Sequence, residues 1–328
     1  MSRLGPFIID VQGFALTPEE RDMLAHPWVG GVIYFTRNFE SKEQIHALSQ
    51  EIHAVPRPLG SAPLLICIDH EGGRVQRFRQ GFTEIPSMAT LGQLWQDNDA
   101  AAQLAALAQA RRVGFTLASE LRAVGVDFSF TPVLDLDWGR SDIIGERSFG
   151  ADPLVVSALA AALMHGLAIA GMRNCAKHFP GHGYAEADSH LALPEDDRTL
   201  EAILSQDAAP YAQIGSPTVS AVMPAHIRYT QVDQAPAGFS PIWLRDILRE
   251  QLGFEGVIIS DDLSMAGAAV LEDVADRAES AFQAGCDATL ICNRPDLAVR
   301  ALDLIPARMP GFLNDPARRG LELLRPLS

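Results

Sequence analysis

The stretch Gly256-Val257-Ile258-Ile259-Ser260, followed at once by Asp261-Asp262, joins a continuous apolar run to two carboxylates. A run that is apolar at successive positions, rather than at alternate ones, is typical of a parallel strand buried on both faces. Similar short runs recur along the whole chain, and turn residues and a helical pattern follow most of them. The eight predicted strands are residues 7–10, 29–35, 64–69, 125–132, 173–178, 219–224, 256–260 and 288–292.

Helical patterns alternate with these strands. They are predicted over residues 41–53, 100–123, 199–214, 242–252 and 273–284. Eight alternating units within 328 residues fit an α/β fold of the (β/α)₈ TIM-barrel type. An open, doubly wound sheet shows the same alternation, and periodicity alone does not exclude it. No Pro/Ser-rich linker divides the chain, so we predict a single (β/α)₈ catalytic domain over residues 1–328.

The composition excludes several classes of function. The chain has 26 Lys and Arg against 41 Asp and Glu, a net charge of −15, which argues against nucleic acid and against an anionic membrane as partners. Residues 154–172 carry no charged side chain, but His165 and two glycines interrupt them, which favours a buried helix over a membrane span. The apolar run 7–10 is too short for the core of a signal peptide, and the four cysteines lie in or beside apolar runs. We therefore expect a cytoplasmic protein.

Polar residues terminate several of the predicted strands on their carboxyl side. Asp69, Lys177 with His178, His226, and Asp261 with Asp262 all occupy such positions. In a barrel these ends converge on one face, where enzymes of this fold place their active sites. The pattern therefore predicts one shared site.

The first cluster of this site runs from Asp69 to Arg77. Gly72 and Gly73 favour a tight turn, and Arg74 or Arg77 has the geometry to bind a carboxylate or hydroxyls. A capped turn with a structural Asp–Arg ion pair is the alternative. Residues 145–150 offer one further arginine, Arg147.

The second cluster comprises residues 177–183 together with Asp188-Ser189-His190. An Asp two residues from a His can orient the imidazole so that its other nitrogen exchanges a proton. Three alternatives stay open: a zinc site formed by His178, His182 and His190, a Schiff base on Lys177, and a structural role. The third cluster runs from Val257 to Met265. Alternation along a strand predicts that only one of Asp261 and Asp262 faces the site, with Asp262 as a helix N-cap.

These segments closely resemble glycoside hydrolase family 3, and within it the bacterial cytoplasmic β-N-acetylglucosaminidases of peptidoglycan recycling. The resemblance is carried by residues 69–77, 145–149, 177–183, 188–190 and 260–265, in that order along the chain. It implies a retaining hydrolase of terminal, non-reducing β-linked N-acetylglucosamine that forms a covalent glycosyl-enzyme. Asp261 would be the nucleophile and His190 the general acid and base, oriented by Asp188. The residues implied to bind the sugar are Asp69, Arg77, Arg147, Lys177 and His178.

The resemblance also implies the substrate and the lack of a cofactor. The expected substrate is a small sugar fragment of peptidoglycan, N-acetylglucosaminyl-anhydro-N-acetylmuramic acid or its peptides, and the mechanism requires no metal and no other cofactor. We expect a monomer. One departure from the family is His70, where relatives usually carry Gln. A lysine-dependent aldolase on the same barrel and a non-catalytic sugar-binding protein remain the alternatives.

Overall fold

The computed structural model describes residues 3–57, 61–186 and 193–327. Its centre is an eight-stranded sheet in which every neighbouring pair of strands is parallel. The strands are β1 (Phe7–Asp10), β2 (Val29–Tyr34), β3 (Leu65–Ile68), β4 (Phe128–Ser129), β5 (Cys175–Phe179), β6 (Ala221–Pro224), β7 (Val257–Asp262) and β8 (Ala288–Ile291).

The sheet closes into a barrel. Its strand order is β4-β3-β2-β1-β8-β7-β6-β5. Parallel bridges between Phe128 and Arg173 and between Val133 and Lys177 join the two ends. The (β/α)₈ barrel predicted from the sequence is therefore confirmed, and the open doubly wound sheet is wrong. That residues 1–328 form one domain stays a prediction.

The fourth strand is much shorter than the predicted segment 125–132. Gly125 adopts φ = 86° and ends the turn that follows a helix, a conformation that suits glycine. Pro132 has no N–H to donate to a neighbouring strand, and only its carbonyl accepts, from the N–H of Lys177. The regular strand covers only Phe128–Ser129, and the N–H groups of Asp127 and Phe130 on either side of it donate to the carbonyl oxygens of Ile66 and Ile68.

Helices surround the barrel. They span Pro18–Ala25, Lys42–His53, Met88–Gly92, Ala100–Ala123, Pro153–Ile169, Leu200–Ser205, Ala209–Ile214, Ile242–Gln251, Val274–Ala284 and Pro295–Arg308, and Ile242–Gln251 has π-type hydrogen bonding. The single helix predicted over residues 199–214 is wrong, because Pro210 lacks the N–H that a continuous helix would need. The chain therefore starts a new helix at Ala209.

The uncharged segment 154–172 forms most of the helix Pro153–Ile169, which packs against Ala100–Ala123. The two helices approach closely at glycines: a Cβ on Gly166 would lie 2.0 Å from the carbonyl oxygen of Arg111. The segment is thus a packed barrel helix, as predicted. Within the described ranges, no helix has the length and apolar character to cross a membrane.

Two apolar layers hold the fold together. One fills the barrel interior with side chains such as Ile8, Phe128 and Leu290, and the other lies between the strands and the surrounding helices. All four cysteines are buried and free. Because the interior is filled, ligands have access only at the two ends of the barrel.

Candidate active site

A cavity of about 310 Å³ opens at the carboxyl ends of the barrel strands, a volume typical of ligand pockets. The structure brings six of the predicted site residues together in its wall: Asp69, Arg77, Arg147, Lys177, His178 and Asp261. The other two, Asp188 and His190, lie outside the described residues. The strand-end pattern thus predicted the location of the cavity.

Lys177 is the centre of a buried ion-pair network. Its Nζ lies 2.7 Å from Oδ1 of Asp69 and 2.6 Å from Oε1 of Glu71. Arg147 donates from Nε and from a terminal nitrogen to the two oxygens of Glu71, each over 2.8 Å. Burial opposes ionisation of Glu71, but Arg147 and Lys177 outweigh burial and hold its pKa well below the usual range. Glu71 is therefore a charged anchor for two of the predicted sugar-binding cations.

Glu71 was missed as an individual site residue, although it lies inside the first predicted cluster. Residues His70–Gly72 form a short hairpin with Val75–Gln76, which directs this segment over the cavity. The structural alternative, an Asp–Arg ion pair within the cluster, is not supported, because Asp69 pairs with Lys177 instead. A carboxylate beside a Gly-Gly turn at a strand end was the available signal.

The environment of Lys177 opposes a Schiff-base role. Burial lowers the pKa of this amine, but Asp69 and Glu71 outweigh burial, so the pKa is raised above its ordinary value. A lysine that attacks a carbonyl must be neutral, which requires a lowered pKa. The aldolase alternative is therefore not supported.

Asp135 organises the second cluster. This fully buried carboxylate accepts from Nδ1 of His178 over 2.7 Å and from the backbone N–H groups of His178 and His182 over 3.1 and 2.7 Å. Burial raises the pKa of Asp135, but the two histidines outweigh it and the net shift is downward. Asp135 follows the apolar pair Val133-Leu134, so the strand-end signal was present just beyond the predicted strand.

The zinc alternative depended on three histidines. Asp135 occupies Nδ1 of His178, and the ring centroids of His178 and His182 are 5.6 Å apart. His190 lies outside the described residues. Among the residues that the structure does describe, no three His, Cys, Asp or Glu side chains form a group suited to a metal ion.

Asp261 and Asp262 both line the cavity, while the carboxylate of Asp262 is bound by Ser264 and Cys292. That only one of the two side chains faces the site stays a prediction. The pairing of β7 with β8 shifts register between Ile259 and Asp262, and such a bulge interrupts the alternation of side chains. The carboxylate of Asp261 accepts the backbone N–H of Asp262 over 2.8 Å. Burial raises the pKa of Asp261, but His226, His178 and Lys177 outweigh it, and the net shift is downward.

The side chain of Asp262 is bound by neighbouring residues of the fold. Its Oδ1 accepts the backbone N–H groups of Ser264 and Cys292 over 2.9 and 3.0 Å, and its Oδ2 accepts the Ser264 hydroxyl over 2.6 Å. These bonds fix the turn after β7 and the end of β8. The predicted helix N-cap is therefore wrong, since no helix begins there. His226 is buried and its Nε2 lies 3.2 Å from the carbonyl oxygen of Asp262.

The two arginines of the first cluster differ in their availability. Arg74 donates to the carbonyl oxygens of Asp142 and Ile143, over 2.8 and 2.5 Å, which ties the hairpin to the loop that carries Arg147. Arg77 lines the cavity, and its Nε makes no hydrogen bond to any described residue. Arg77 is therefore free to donate to a ligand.

Residues 8–307 match the model of the glycosyl hydrolase family 3 N-terminal domain. The chain belongs to glycosyl hydrolase family 3. It is therefore a glycoside hydrolase, which confirms the family and the enzyme class predicted from the sequence.

Members of this family resemble the chain over most of its length. A β-hexosaminidase of Aromatoleum aromaticum is 58% identical over 98% of this chain and 87% of the relative. A β-hexosaminidase of Bordetella avium is 56% identical over 93% of this chain and 85% of the relative. The crystal structure of native NagZ from Neisseria gonorrhoeae superposes with a TM-score of 0.87 at 48% identity, covering 99% of this chain and 91% of that one.

Proposed function

We propose that this chain is an exo-acting β-N-acetylglucosaminidase that retains the configuration at the anomeric carbon. The observation that carries the proposal is the carboxylate of Asp261, which stands at the carboxyl end of β7 in the cavity wall and is held ionised by its neighbours. The similar proteins of Aromatoleum and Bordetella are named β-hexosaminidases. NagZ from Neisseria gonorrhoeae has been crystallised with N-trifluoroacetyl-D-glucosamine.

In the proposed first step, the Asp261 carboxylate attacks the anomeric carbon while His190 protonates the departing glycosidic oxygen. The bond to the aglycone breaks and a glycosyl ester with Asp261 forms. His190 then removes a proton from water, which attacks the same carbon and releases Asp261. Asp188 would orient His190. Asp69, Arg77, Arg147, Lys177 and His178 would hold the sugar.

The ion-pair network supports the binding role of these cations. Lys177 and Arg147 share the buried carboxylate of Glu71, so they are held in place before a ligand arrives. Preorganised donors lose little freedom on binding and are therefore effective partners for sugar hydroxyls. Asp69, which is partly exposed, would accept hydrogen bonds from those hydroxyls.

We further propose that the aglycone comes from peptidoglycan, as N-acetylglucosaminyl-anhydro-N-acetylmuramic acid or its peptides. An imidazole acid would not repel the carboxylate of such a leaving group as a second carboxylate would. The exposed Arg74 at the rim of the cavity supplies a cation near the exit. The buried free thiols support a reducing, cytoplasmic location, and we propose that the chain acts there as a monomer.

The decisive experiment compares Asp261→Asn with Asp246→Asn, a matched change on an exposed helix position. With an aryl β-N-acetylglucosaminide, Asp261→Asn should lose at least about 1,000-fold in kcat, while Asp246→Asn should match the wild type. The wild-type product should first appear as the β-anomer in a proton NMR time course. Near-normal turnover by Asp261→Asn, or first release of the α-anomer, would contradict the proposal.

Substrate class is tested separately. A panel of aryl β-glycosides, assayed with and without a chelator, should show release from the N-acetylglucosaminide that exceeds release from the glucoside, and the chelator should have no effect. Comparing a muropeptide disaccharide with chitobiose then tests the aglycone, and a higher kcat/KM for chitobiose would contradict the peptidoglycan assignment.

A further inference from the structure

A second cavity, of about 600 Å³, lies at the end of the barrel opposite the candidate active site. Its walls come from the helix Ile242–Gln251, the loop before β7, the residues just before β8 and the segment 312–319. Asp261 stands at the other end of β7, a strand of six residues, so roughly 15–20 Å separate the two sites. The cavity is therefore distinct from the candidate active site.

Four arginines line this cavity: Arg245, Arg249, Arg318 and Arg319. Arg249 is paired with a carboxylate, since its guanidinium lies 2.7 Å from Oδ2 of Asp287. In the described part of the chain, the side chains of the other three donate only to backbone carbonyl oxygens. Three guanidinium groups thus face one cavity without a directly bonded carboxylate, in a chain whose net charge is −15.

Arg318 is the most deeply buried of the four arginines. It is only 4% exposed, and one terminal nitrogen donates to the carbonyl oxygen of Leu4 over 2.9 Å. Its Nε and its other terminal nitrogen are buried and make no hydrogen bond to any described residue. A buried charged donor without an acceptor costs free energy. An oxyanion in the adjoining cavity would neutralise this charge and, after a small side-chain adjustment, supply the acceptors.

The rest of the lining restricts the kind of anion. Phe254, Phe282 and Phe312 form an apolar wall, and the rings of Phe282 and Phe312 lie 4.3 Å apart between centroids. Glu255, Asp287 and Asp315 also line the cavity. Four positive and three negative side chains leave a net charge of 4 − 3 = +1. This balance favours a small anion with one or two charges over a polyanion, and the wall favours an apolar body.

We propose that this cavity is a second ligand site, which binds a small organic oxyanion: a carboxylate or a phosphate monoester carried on an aromatic or other flat apolar group. The guanidinium forks of Arg245 and Arg319 would hold the oxyanion. The phenyl wall would cover the apolar group. The site does not depend on the activity proposed above, because it shares no residue with the candidate active site.

The experiment titrates the full chain by isothermal calorimetry with phenyl phosphate and with benzoate, which distinguish the two oxyanions. Inorganic phosphate serves as the probe without an apolar body. We expect one organic anion to bind per chain with a Kd below about 1 mM, and inorganic phosphate to bind at least about tenfold more weakly. No saturable binding of either organic anion would overturn the proposal.

Because Arg318 is buried, the test variants are R245Q and R319Q, whose folding is checked by thermal unfolding. Each should weaken binding of the organic anion at least about tenfold. R111Q, on an exposed helix position, is the matched control and should bind as the wild type does. Unchanged affinity in both R245Q and R319Q would overturn the proposal. So would weakened binding in R74Q alone, because Arg74 lines the active-site cavity.

Discussion

Nδ1 of His178 lies 2.7 Å from Oδ2 of Asp135, and both side chains are buried at the edge of the candidate active site. The other oxygen of Asp135 accepts two backbone N–H groups, those of His178 and His182. Because a carboxylate can only accept from Nδ1, it favours the tautomer with hydrogen on that nitrogen. In the neutral form of that tautomer, Nε2 of His178 would be left to accept from a sugar hydroxyl, which is the binding role proposed for this residue.

Asp135→Asn should therefore reduce catalysis without abolishing it. An amide in this position allows the opposite tautomer of His178 and weakens the hydrogen bonds to the backbone N–H groups of His178 and His182. We therefore expect kcat/KM to fall by about 10- to 100-fold, mainly because KM rises. Asp137→Asn is the control, because among the described residues the Asp137 side chain accepts only from the N–H of Gly139. Steady-state kinetics of the two variants measures this effect. Equal kcat/KM in both variants would show that Asp135 does not position His178 for catalysis.

Glu71→Gln should destabilise the fold. The change leaves Lys177 and Arg147 with a neutral partner in a buried site, and breaking a buried ion pair by removing one partner costs about 3 kcal/mol. Urea unfolding measures the free energy of unfolding. The exposed Glu43→Gln is the control and should lie within about 0.5 kcal/mol of the wild type. A similarly small loss for Glu71→Gln would show that the network contributes little.

Asp262 should make stability depend on pH. Burial raises its pKa to about 6, whereas an unfolded Asp titrates near about 3.9. Between about pH 4 and about pH 6 the folded chain therefore holds the extra proton, and ionisation lowers the free energy of unfolding as pH rises, by at most about 3 kcal/mol. Asp262→Asn removes this ionisation.

The test is urea unfolding of wild type and Asp262→Asn at about pH 4 and about pH 7. The free energy of unfolding of Asp262→Asn, taken relative to that of the wild type, should be higher at about pH 7 than at about pH 4. Asp246→Asn, at an exposed position, should show no such change. A pH-independent difference between wild type and Asp262→Asn would rule out a raised pKa for Asp262.

His190→Ala tests the acid role proposed for His190. A leaving group that is already acidic needs little protonation, so the loss of kcat should be large for a disaccharide and small for a nitrophenyl glycoside. His165→Ala, on an exposed position of the helix Pro153–Ile169, is the control. Equal losses on both substrates would argue against general acid catalysis by His190.

The sequence alone determined the alternation of parallel strands and helices and the face on which the site lies, and it left an open sheet as the alternative to a barrel. Short continuous apolar runs are typical of strands buried on both sides. Their alternation with helices predicts parallel strands, whose carboxyl ends must meet. Asp69, Lys177 and Asp261 stand at such ends, so their convergence on one cavity followed from local patterns. The family motifs then assigned roles to them.

Tertiary structure alone decided which side chains are paired. Lys177 meets Asp69 across 108 positions of sequence, and Arg147 meets Glu71 across 76. No local pattern encodes such partners, because closure of the barrel brings distant strand ends together and sets their distances. The register shift between Ile259 and Asp262, which interrupts the alternation of side chains along β7, has the same origin. A charge is stabilised by the groups around it in space, and the order of residues along the chain does not contain that arrangement directly.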